Sequence, residues 1–336
     1  MRCNYCEWRC ELKEGNTGVC GAYIMKNGAI KEKLPHHWSS LNVVHIESLP
    51  FYHAYPGSRS LSIGSSGCNF DCSYCSNSYI ARVSPSELFL YHLGPKEIIK
   101  RVKQTGCHNI VFALNEPMVS LQSLQELGEE AKKAGIPLGC MTNGYMTPES
   151  AELLSSICSF INISLKSISS QFYQKHTGIS NIEPILRNIR YFADNNHLEL
   201  ITPIIQSIND HEIDGIAAFI YSVNPQIPWH IFRLLPEYKM KECQPPSIND
   251  INTKLEYARK LLPYIYFGNF VGSEWVSTLC PGCGKTVIER INLGGCGGKI
   301  TEYSLDDNKC PDCGQEIPIY GKRMHWNESE PVQEVL

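Results

Sequence analysis

Short apolar runs alternate with helix-like segments along residues 60 to about 267. Each run has the length of a strand and is bounded by polar or glycine-containing turns. The six runs lie at 60–65, 110–113, 137–141, 160–164, 198–205 and 229–235. Because strands that alternate with helices are typical of parallel βαβ units, the pattern predicts an α/β fold.

Helix-like segments fill the intervals between the predicted strands. Several of them begin with proline or an acidic residue, as helix starts prefer. They lie near 95–104, 121–134, 148–156, 182–195, 210–223 and 248–262. The alternation predicts a partial (β/α)6 barrel of the TIM type, in which ligands collect at the C-terminal edge of the strands.

The two ends of the chain lack this alternation. The first part is rich in turns, and the part after the barrel is rich in glycine and cysteine. We expect an N-terminal Cys-rich accessory module at 1–58, the barrel at 59–270, a zinc-ribbon-like module at 275–322 and a flexible tail at 327–336.

Composition and charge narrow the class of protein. The net charge of -4 over 336 residues lacks the basic excess that phosphate-backbone binding needs, so no nucleic-acid partner is expected. The chain start does not resemble a signal peptide and no apolar stretch reaches membrane-spanning length, so we expect a cytoplasmic protein without a membrane partner. In a reducing compartment, the clustering among 16 cysteines indicates metal or iron-sulfur ligation more than disulfides.

Three central cysteines follow the first predicted strand at x3 and x2 spacing, namely Cys68, Cys72 and Cys75. Three thiolates on a [4Fe-4S] cluster leave one iron without a protein ligand. Such an iron can bind the amino and carboxylate groups of S-adenosylmethionine, whereas a cluster with four cysteines would only carry electrons. A zinc site is the alternative, but structural zinc normally has four protein ligands close together.

The segment from Gly67 to Cys75, with Tyr74 before the last cysteine, resembles the signature of the radical SAM superfamily. The segments FALNEPMVS, MTNGYMTPE, ISLKS and WHIFRLLPEYKM follow in the order seen in pyruvate formate-lyase-activating-enzyme-like proteins, most similarly in the AmmeMemoRadiSam-system radical SAM branch. The resemblance covers about residues 56–241.

This resemblance implies an activity. The [4Fe-4S] cluster would cleave S-adenosylmethionine reductively to methionine and a 5′-deoxyadenosyl radical. The radical would abstract hydrogen from a small-molecule or protein substrate. The resemblance also implies an external electron donor of the flavodoxin or ferredoxin type.

The resemblance further implies the residues that contact S-adenosylmethionine. They are Tyr74, Asn115, Glu116, Thr142, Asn143, Ser164 and Lys166. Glu116 would face the amino group of the cofactor and Lys166 its carboxylate. A strand-ending turn would also explain Asn115, and a solvated charge would also explain Lys166. No catalytic residue is assigned beyond the cluster and cofactor site.

Two positions depart from the glycyl radical activating enzymes, which tend to have aspartate where this chain has Met141 and Ser164. A cation site built from those carboxylates would be weakened. A radical SAM enzyme is therefore the first hypothesis and a glycyl radical enzyme activase the alternative. A non-enzymatic iron-sulfur or zinc protein is the third, which the spacing of the central cysteines with Glu116 and Lys166 disfavours.

Two further cysteine groups indicate metal sites. The C-terminal group forms two Cys-x2-Cys knuckles, each followed by glycine, which is typical of a zinc ribbon, with a single iron as the alternative. Its members are Cys280, Cys283, Cys310 and Cys313. The N-terminal group fits zinc, which we prefer, or an auxiliary iron-sulfur cluster. Its members are Cys3, Cys6, Cys10 and Cys20. Cys243 and Cys296 have no assigned role.

Several other polar residues have no assigned role. His230 and Arg233 lie on the sixth predicted strand, and Glu237 and Tyr238 follow it. They either border the ligand site at the C-terminal edge of the barrel, or belong to the core and to an ion pair at the strand end. His53, like other histidines between the first cysteine group and the barrel, is expected at the surface.

Overall fold

The computed structural model describes residues 1–292, 294 and 297–325. Cys296 and the expected tail at 327–336 lie outside the described residues. The strands are β1 (Tyr23–Lys26), β2 (Ala29–Glu32), β3 (His37–Trp38), β4 (Ser40–His45), β5 (Arg59–Gly64), β6 (Tyr91–His92), β7 (Asn109–Phe112), β8 (Leu138–Thr142), β9 (Phe160–Ser164), β10 (His197–Ile204), β11 (Trp229–Arg233), β12 (Ile265–Gly268), β13 (Thr278–Leu279), β14 (Thr286–Ile291) and β15 (Lys299–Tyr303). The α-helices are α1 (Ser78–Ala81), α2 (Pro95–Gln104), α3 (Leu121–Lys133), α4 (Pro148–Ile157), α5 (Ser170–His176), α6 (Glu183–Asn195), α7 (Ile213–Val223) and α8 (Ile248–Leu261).

One eight-stranded sheet forms the centre of the molecule, in the order β12-β11-β10-β9-β8-β7-β5-β4. Its strands from β5 to β12 run parallel, and β4 pairs antiparallel with β5 at one edge. The six predicted strands correspond to β5 and β7–β11, and the predicted helices to α2–α4 and α6–α8. The α/β class with a parallel sheet is confirmed. The structure adds β4 and β12 to the sheet and α5 beside it.

The parallel strands read as apolar runs because both of their faces are covered. Every residue of β7 is buried, and the next strands are nearly so. On α2, Ile98, Ile99 and Val102 form the buried stripe, after Pro95 at the first helical position. The helices pack on one face of the sheet in a single large apolar cluster.

The opposite face of the sheet, which we call the inner face, packs against a separate set of apolar side chains. Val111 and Phe160 pack there against Phe51. The inner face therefore receives the segment 46–55, and the expected boundary after residue 58 runs between the paired strands β4 and β5. None of the described helices combines the length and the apolar character needed to cross a bilayer.

A buried carboxylate on β10 binds the segment 46–55 through hydrogen bonds. Glu199 accepts hydrogen bonds from the backbone N–H groups of Tyr52, His53 and Ala54 at 2.9–3.2 Å. It also forms hydrogen bonds with the imidazole rings of His197 on β10 and His230 on β11. His53 is fully buried, with its Nε2 2.6 Å from the Tyr266 hydroxyl, so the expectation that it lies at the surface is wrong.

The last three strands form a small antiparallel sheet, β13-β14-β15. This part packs on the inner face through an apolar cluster that includes Tyr264 and Tyr266. The Arg290 guanidinium stacks 4.3 Å from the Tyr52 ring centroid and donates to the Tyr52 carbonyl at 2.7 Å. The C-terminal cysteines are therefore carried by a unit that is seated against the barrel.

Candidate active site

The C-terminal ends of the parallel strands surround a cavity of about 280 Å³. All ten residues expected at the cluster and the cofactor line it. They are Cys68, Cys72, Tyr74, Cys75, Asn115, Glu116, Thr142, Asn143, Ser164 and Lys166. Because parallel strands end at one edge of a sheet, residues up to 98 positions apart in sequence meet here.

The three central cysteines lie on the loop between β5 and α1. The backbone N–H groups of Asp71 and Ser73 donate to carbonyls at the end of α5, Thr177 and His176, at 3.0 and 2.8 Å. The Arg82 guanidinium donates to the Cys68 carbonyl. The loop is thus held to neighbouring elements on both sides, and its three cysteines line the cavity.

Burial raises the pKa of the Cys72 thiol to about 11, although the cations Lys166 and Arg82 act in the opposite direction. Burial likewise raises the pKa of Cys68, with the nearby Glu116 carboxylate adding to the effect. Metal ligation requires thiolates, so binding of a cluster here would release protons.

Glu116 ties the end of β7 to the end of β8. Its carboxylate accepts hydrogen bonds from the Thr142 hydroxyl and the Asn143 N–H, both at 2.8 Å, and from the Met118 N–H at 3.3 Å. Burial raises its pKa to about 7, against the lowering effect of these bonds. Three of roughly four acceptor sites are used within the protein, which leaves about one for a ligand.

Asn115 has a positioning role in the described contacts. Its side chain accepts from the Ser65 N–H at 2.9 Å and donates to the Gly67 carbonyl at 2.9 Å. These bonds hold the start of the cysteine loop. The preceding Leu114 has φ +73°, a left-handed conformation that is costly for a leucine.

Lys166 and Tyr74 face each other across the cavity, with the Lys166 Nζ 5.9 Å from the Tyr74 ring centroid. The backbone N–H of Lys166 donates to the Tyr173 hydroxyl at 3.0 Å, which fixes the base of the lysine. The Tyr74 hydroxyl is buried and has no hydrogen-bond partner among the described residues. A buried hydroxyl of this kind fits a site that receives a polar ligand.

Other cavity residues were not assigned from the sequence. Asn269 follows β12 and bonds the Arg233 backbone at both its N–H and its carbonyl, 3.1 and 2.8 Å away. The run Tyr264–Phe267, with Gly268 and Asn269 after it, was the signal for this strand end.

Of the residues around the sixth predicted strand, Arg233 lines the cavity. His230 is a buried core residue that bonds Glu199 at 2.7 Å. Glu237, Tyr238 and Cys243 are absent from the described residues that line the cavity. The Tyr238 hydroxyl instead lies 3.4 Å from Asp71 on the outside of the cysteine loop.

The comparisons with known proteins agree with this geometry. Residues 62–220 match the radical SAM superfamily. An uncharacterised protein of Methanocaldococcus jannaschii is 30% identical over 329 residues, which is 95% of each chain. The chain belongs to the radical SAM superfamily.

Two more distant similarities are informative. A probable GTP 3′,8-cyclase of Thermococcus kodakarensis is 26% identical over 160 residues, which is 45% of this chain and 49% of that one. Streptococcus suis SuiB is 13% identical with a TM-score of 0.50, over 67% of this chain and 53% of that one, and shares the fold. The radical SAM resemblance is confirmed at the level of the superfamily, and the AmmeMemoRadiSam branch stays a prediction.

Outside the radical SAM core, the C-terminal cysteines form a compact site. All four ligand atoms lie within 4.8 Å of one another in Cys280, Cys283, Cys310 and Cys313. The two knuckles match closely: the N–H of Gly284 donates to the Cys280 carbonyl at 2.8 Å, and the N–H of Gly314 donates to the Cys310 carbonyl at 2.9 Å. Both glycines have φ +76°, which glycine adopts without strain. This arrangement fits one tetrahedral metal ion.

The N-terminal cysteines also converge. Cys3, Cys6, Cys10 and Cys20 all line one small enclosed cavity, together with aromatic and aliphatic side chains. Cys3 and Cys6 are buried and the other two are half-buried. The N-terminal group is therefore a second place where four thiols face a common space.

Proposed function

We propose that this radical SAM protein is an enzyme whose Cys68, Cys72 and Cys75 bind a [4Fe-4S] cluster beside a site for S-adenosylmethionine. When bound, the cluster supplies the electron that cleaves S-adenosylmethionine to methionine and a 5′-deoxyadenosyl radical, which takes hydrogen from a small-molecule or protein substrate. The observation that carries the proposal is the convergence of these cysteines and seven cofactor-type residues on one cavity. A cytoplasmic location and a ferredoxin- or flavodoxin-type electron donor complete the proposal.

The residues fit such a cluster and its cofactor. Three half-buried cysteines on one loop line a cavity of about 280 Å³ together with the residues of the strand ends. The polar atoms around that cavity are of mixed type: a carboxylate with spare acceptor capacity, an ammonium and an unpartnered hydroxyl. An amino acid cofactor that carries an amino group and a carboxylate matches this set.

Different residues would contact different groups of S-adenosylmethionine. Glu116 would hold the amino group through its remaining acceptor site, and Lys166 would pair with the carboxylate. Asn115, Thr142 and Asn143 would act mainly by fixing the loop and the Glu116 carboxylate. The cavity wall would exclude water from the reacting centre through its apolar residues.

The activase alternative receives less support from the site. Met141 and Ser164 both line the cavity, and neither offers a carboxylate. A hard cation prefers several negative oxygen ligands. We therefore place the activity with radical SAM enzymes that act on a substrate of their own.

Zinc is proposed for the compact C-terminal site. The two short sulfur–sulfur distances, 3.5 Å for Cys280–Cys313 and 3.7 Å for Cys283–Cys310, suit one ion. With Zn–S bonds of about 2.3 Å, tetrahedral geometry separates the sulfurs by about 3.8 Å.

Cofactor binding tests the proposal directly. Anaerobically reconstituted wild-type protein is expected to bind about one S-adenosylmethionine per chain in equilibrium dialysis, because the cluster leaves one iron open. Cys72→Ala should lose the cluster absorbance and this binding together, while Cys243→Ala, a cysteine outside the cavity, should retain both. Equal binding by wild type and Cys72→Ala would refute the site.

A further inference from the structure

The N-terminal cysteines occupy a folded, desolvated setting. The Cys3 N–H donates to the Cys10 carbonyl at 2.8 Å, and the Arg9 N–H donates to the Cys6 carbonyl at 3.0 Å, so the chain closes on itself around the thiols. The same small cavity is lined by Tyr5, Trp8, Leu12, Tyr23, Met118 and Val119. Packing alone does not explain four thiols around one apolar space, because other small apolar side chains would fill it equally well.

The spacing of these thiols differs from that of the C-terminal site. Among the residues that the structure describes, the C-terminal cysteines alone bring three or more ligand atoms of His, Cys, Asp or Glu within 4.8 Å of one another. No three of the N-terminal thiols meet this 4.8 Å limit, so they share their cavity at wider spacing. A single zinc ion draws its sulfurs to about 3.8 Å, whereas the four irons of a cubane hold their thiolates farther apart.

The N-terminal site lies directly behind the central cysteines. The Asn69 side chain contacts the Cys6 thiol on one side and lies 3.9 Å from the Cys68 Sγ on the other. The Trp8 indole donates to the Asn69 carbonyl at 2.8 Å. A Cβ added to Gly67 would come within 3.1 Å of the Cys20 carbonyl oxygen. One residue therefore separates the two groups of thiols.

We propose that Cys3, Cys6, Cys10 and Cys20 bind a second [4Fe-4S] cluster, adjacent to the cluster of the cofactor site. The wider spacing favours iron-sulfur over the zinc that the sequence alone led us to prefer. The Asn69 contact sets the position of this site beside the central cysteines. With four protein ligands, this cluster has no open iron and holds one electron at a time. The presence of a neighbouring cluster rests on the proposed function, whereas the N-terminal site itself does not.

Metal content in a variant without the central ligands tests the site. After anaerobic reconstitution, Cys68→Ala/Cys72→Ala/Cys75→Ala is expected to retain about four irons and four sulfides per chain. Dithionite should reduce that cluster to a paramagnetic state visible by electron paramagnetic resonance. Cys6→Ala/Cys20→Ala should instead lose about four irons, and Cys243→Ala should lose none. A triple variant with about two zinc ions and no iron would overturn the proposal.

The wild-type protein provides a test that no folding defect can disturb. It should contain about eight irons and about one zinc, and its fully reduced spectrum should show spin–spin broadening between two neighbouring clusters. About four irons with about two zinc ions would overturn the second cluster. The two proposals fail separately: an iron-free triple variant with normal cofactor binding by wild type removes only the second cluster, and an iron-loaded triple variant with no cofactor binding by wild type removes only the proposed function.

Discussion

At the scale of single residues, the site depends on groups whose chemistry is altered by burial. Glu116 is 2% exposed and satisfies three donors, yet its pKa is raised to about 7 because burial disfavours the charged form. A cationic ligand stabilises that charged form. The same carboxylate can therefore brace two strand ends and attract a cofactor whose amino and sulfonium groups are positive.

The first prediction concerns this charge. Glu116→Gln should weaken the binding of S-adenosylmethionine by about tenfold or more, since a hydrogen bond to a charged group contributes about 1.5–3 kcal/mol. The absorbance of the cluster should not change. Isothermal titration calorimetry measures the affinity, with Glu87→Gln, an exposed glutamate that does not line the cavity, as the matched control. Equal affinity in wild type and Glu116→Gln would remove the role.

A pH dependence follows from the raised pKa. As the pH falls through about 7, the Glu116 carboxyl takes up a proton and loses its attraction for the cofactor. Wild-type affinity should therefore fall between pH 8 and pH 6 more steeply than that of Glu116→Gln, which has no such proton to bind. Parallel pH profiles of the two proteins would contradict the assignment.

At the scale of elements, buried polar contacts join segments that hydrophobic patterns do not connect. Glu199 on β10 takes three backbone N–H groups of the segment Tyr52–Ala54 and two histidine rings. Burial alone would raise its pKa, but the hydrogen bonds of His197 and His230 lower it well below the usual value. The contact between the segment Tyr52–Ala54 and strand β10 therefore depends on one carboxylate whose acceptor sites are all used.

Removal of this anion should destabilise the fold strongly. Glu199→Ala should lower the free energy of unfolding by about 3–5 kcal/mol, because its loss leaves several buried donors without their charged acceptor. Urea denaturation of the reconstituted protein measures it, and Glu130→Ala, which breaks an exposed pair with Lys133, is the control with little effect. A change as small as that of the control would contradict this role.

Glu199 also determines how the free energy of unfolding changes at acid pH. Because the folded pKa of Glu199 is lowered from 4.5, its contribution is present above about pH 4.5 and is lost as the pH falls through the folded value. Stability should fall less on acidification in Glu199→Gln than in wild type. Chemical denaturation between about pH 5 and about pH 3 distinguishes the two slopes, and equal slopes in the two proteins would contradict this sign.

The elements also show what could be predicted from the sequence. Buried parallel strands such as β7 and β9 read as apolar runs, so their positions and the edge where they end were predictable. Strand β4 has mostly half-buried residues within a turn-rich segment and gave no such run. Strand β12 is as short and as fully buried as β7, but its run follows directly on the apolar end of the predicted helix 248–262 and was overlooked there. Asn269, which follows β12, was missed for the same reason.

At the scale of the whole molecule, three cysteine groups occupy separate places around one sheet. The central group lies at the C-terminal edge of the strands, the N-terminal group behind it, and the C-terminal group on a unit that packs on the inner face. Their spacing in sequence predicted each group. The Asn69 contact between the first two was not predictable, because it joins residues 63 positions apart through the folded loop.

The C-terminal unit should depend on its metal. Cys310→Ser should lose about one zinc per chain and expose residues 275–322 to protease, because a unit of this size cannot hold itself together by apolar burial. Mass spectrometry of the protein and of its fragments measures both effects. Cys107→Ser, which alters a thiol outside the three groups, serves as control, and retention of zinc by Cys310→Ser would contradict the site.

At the centre of the molecule, Cys68, Cys72 and Cys75 are proposed to support radical cleavage of S-adenosylmethionine. The most direct measurement is 5′-deoxyadenosine formed by anaerobic, reconstituted protein with dithionite and S-adenosylmethionine, quantified by liquid chromatography and mass spectrometry. We expect product from wild type and from Cys243→Ala, and none from Cys72→Ala. Absence of 5′-deoxyadenosine from wild type with several low-potential reductants, in protein that carries its full iron content, would contradict this proposal.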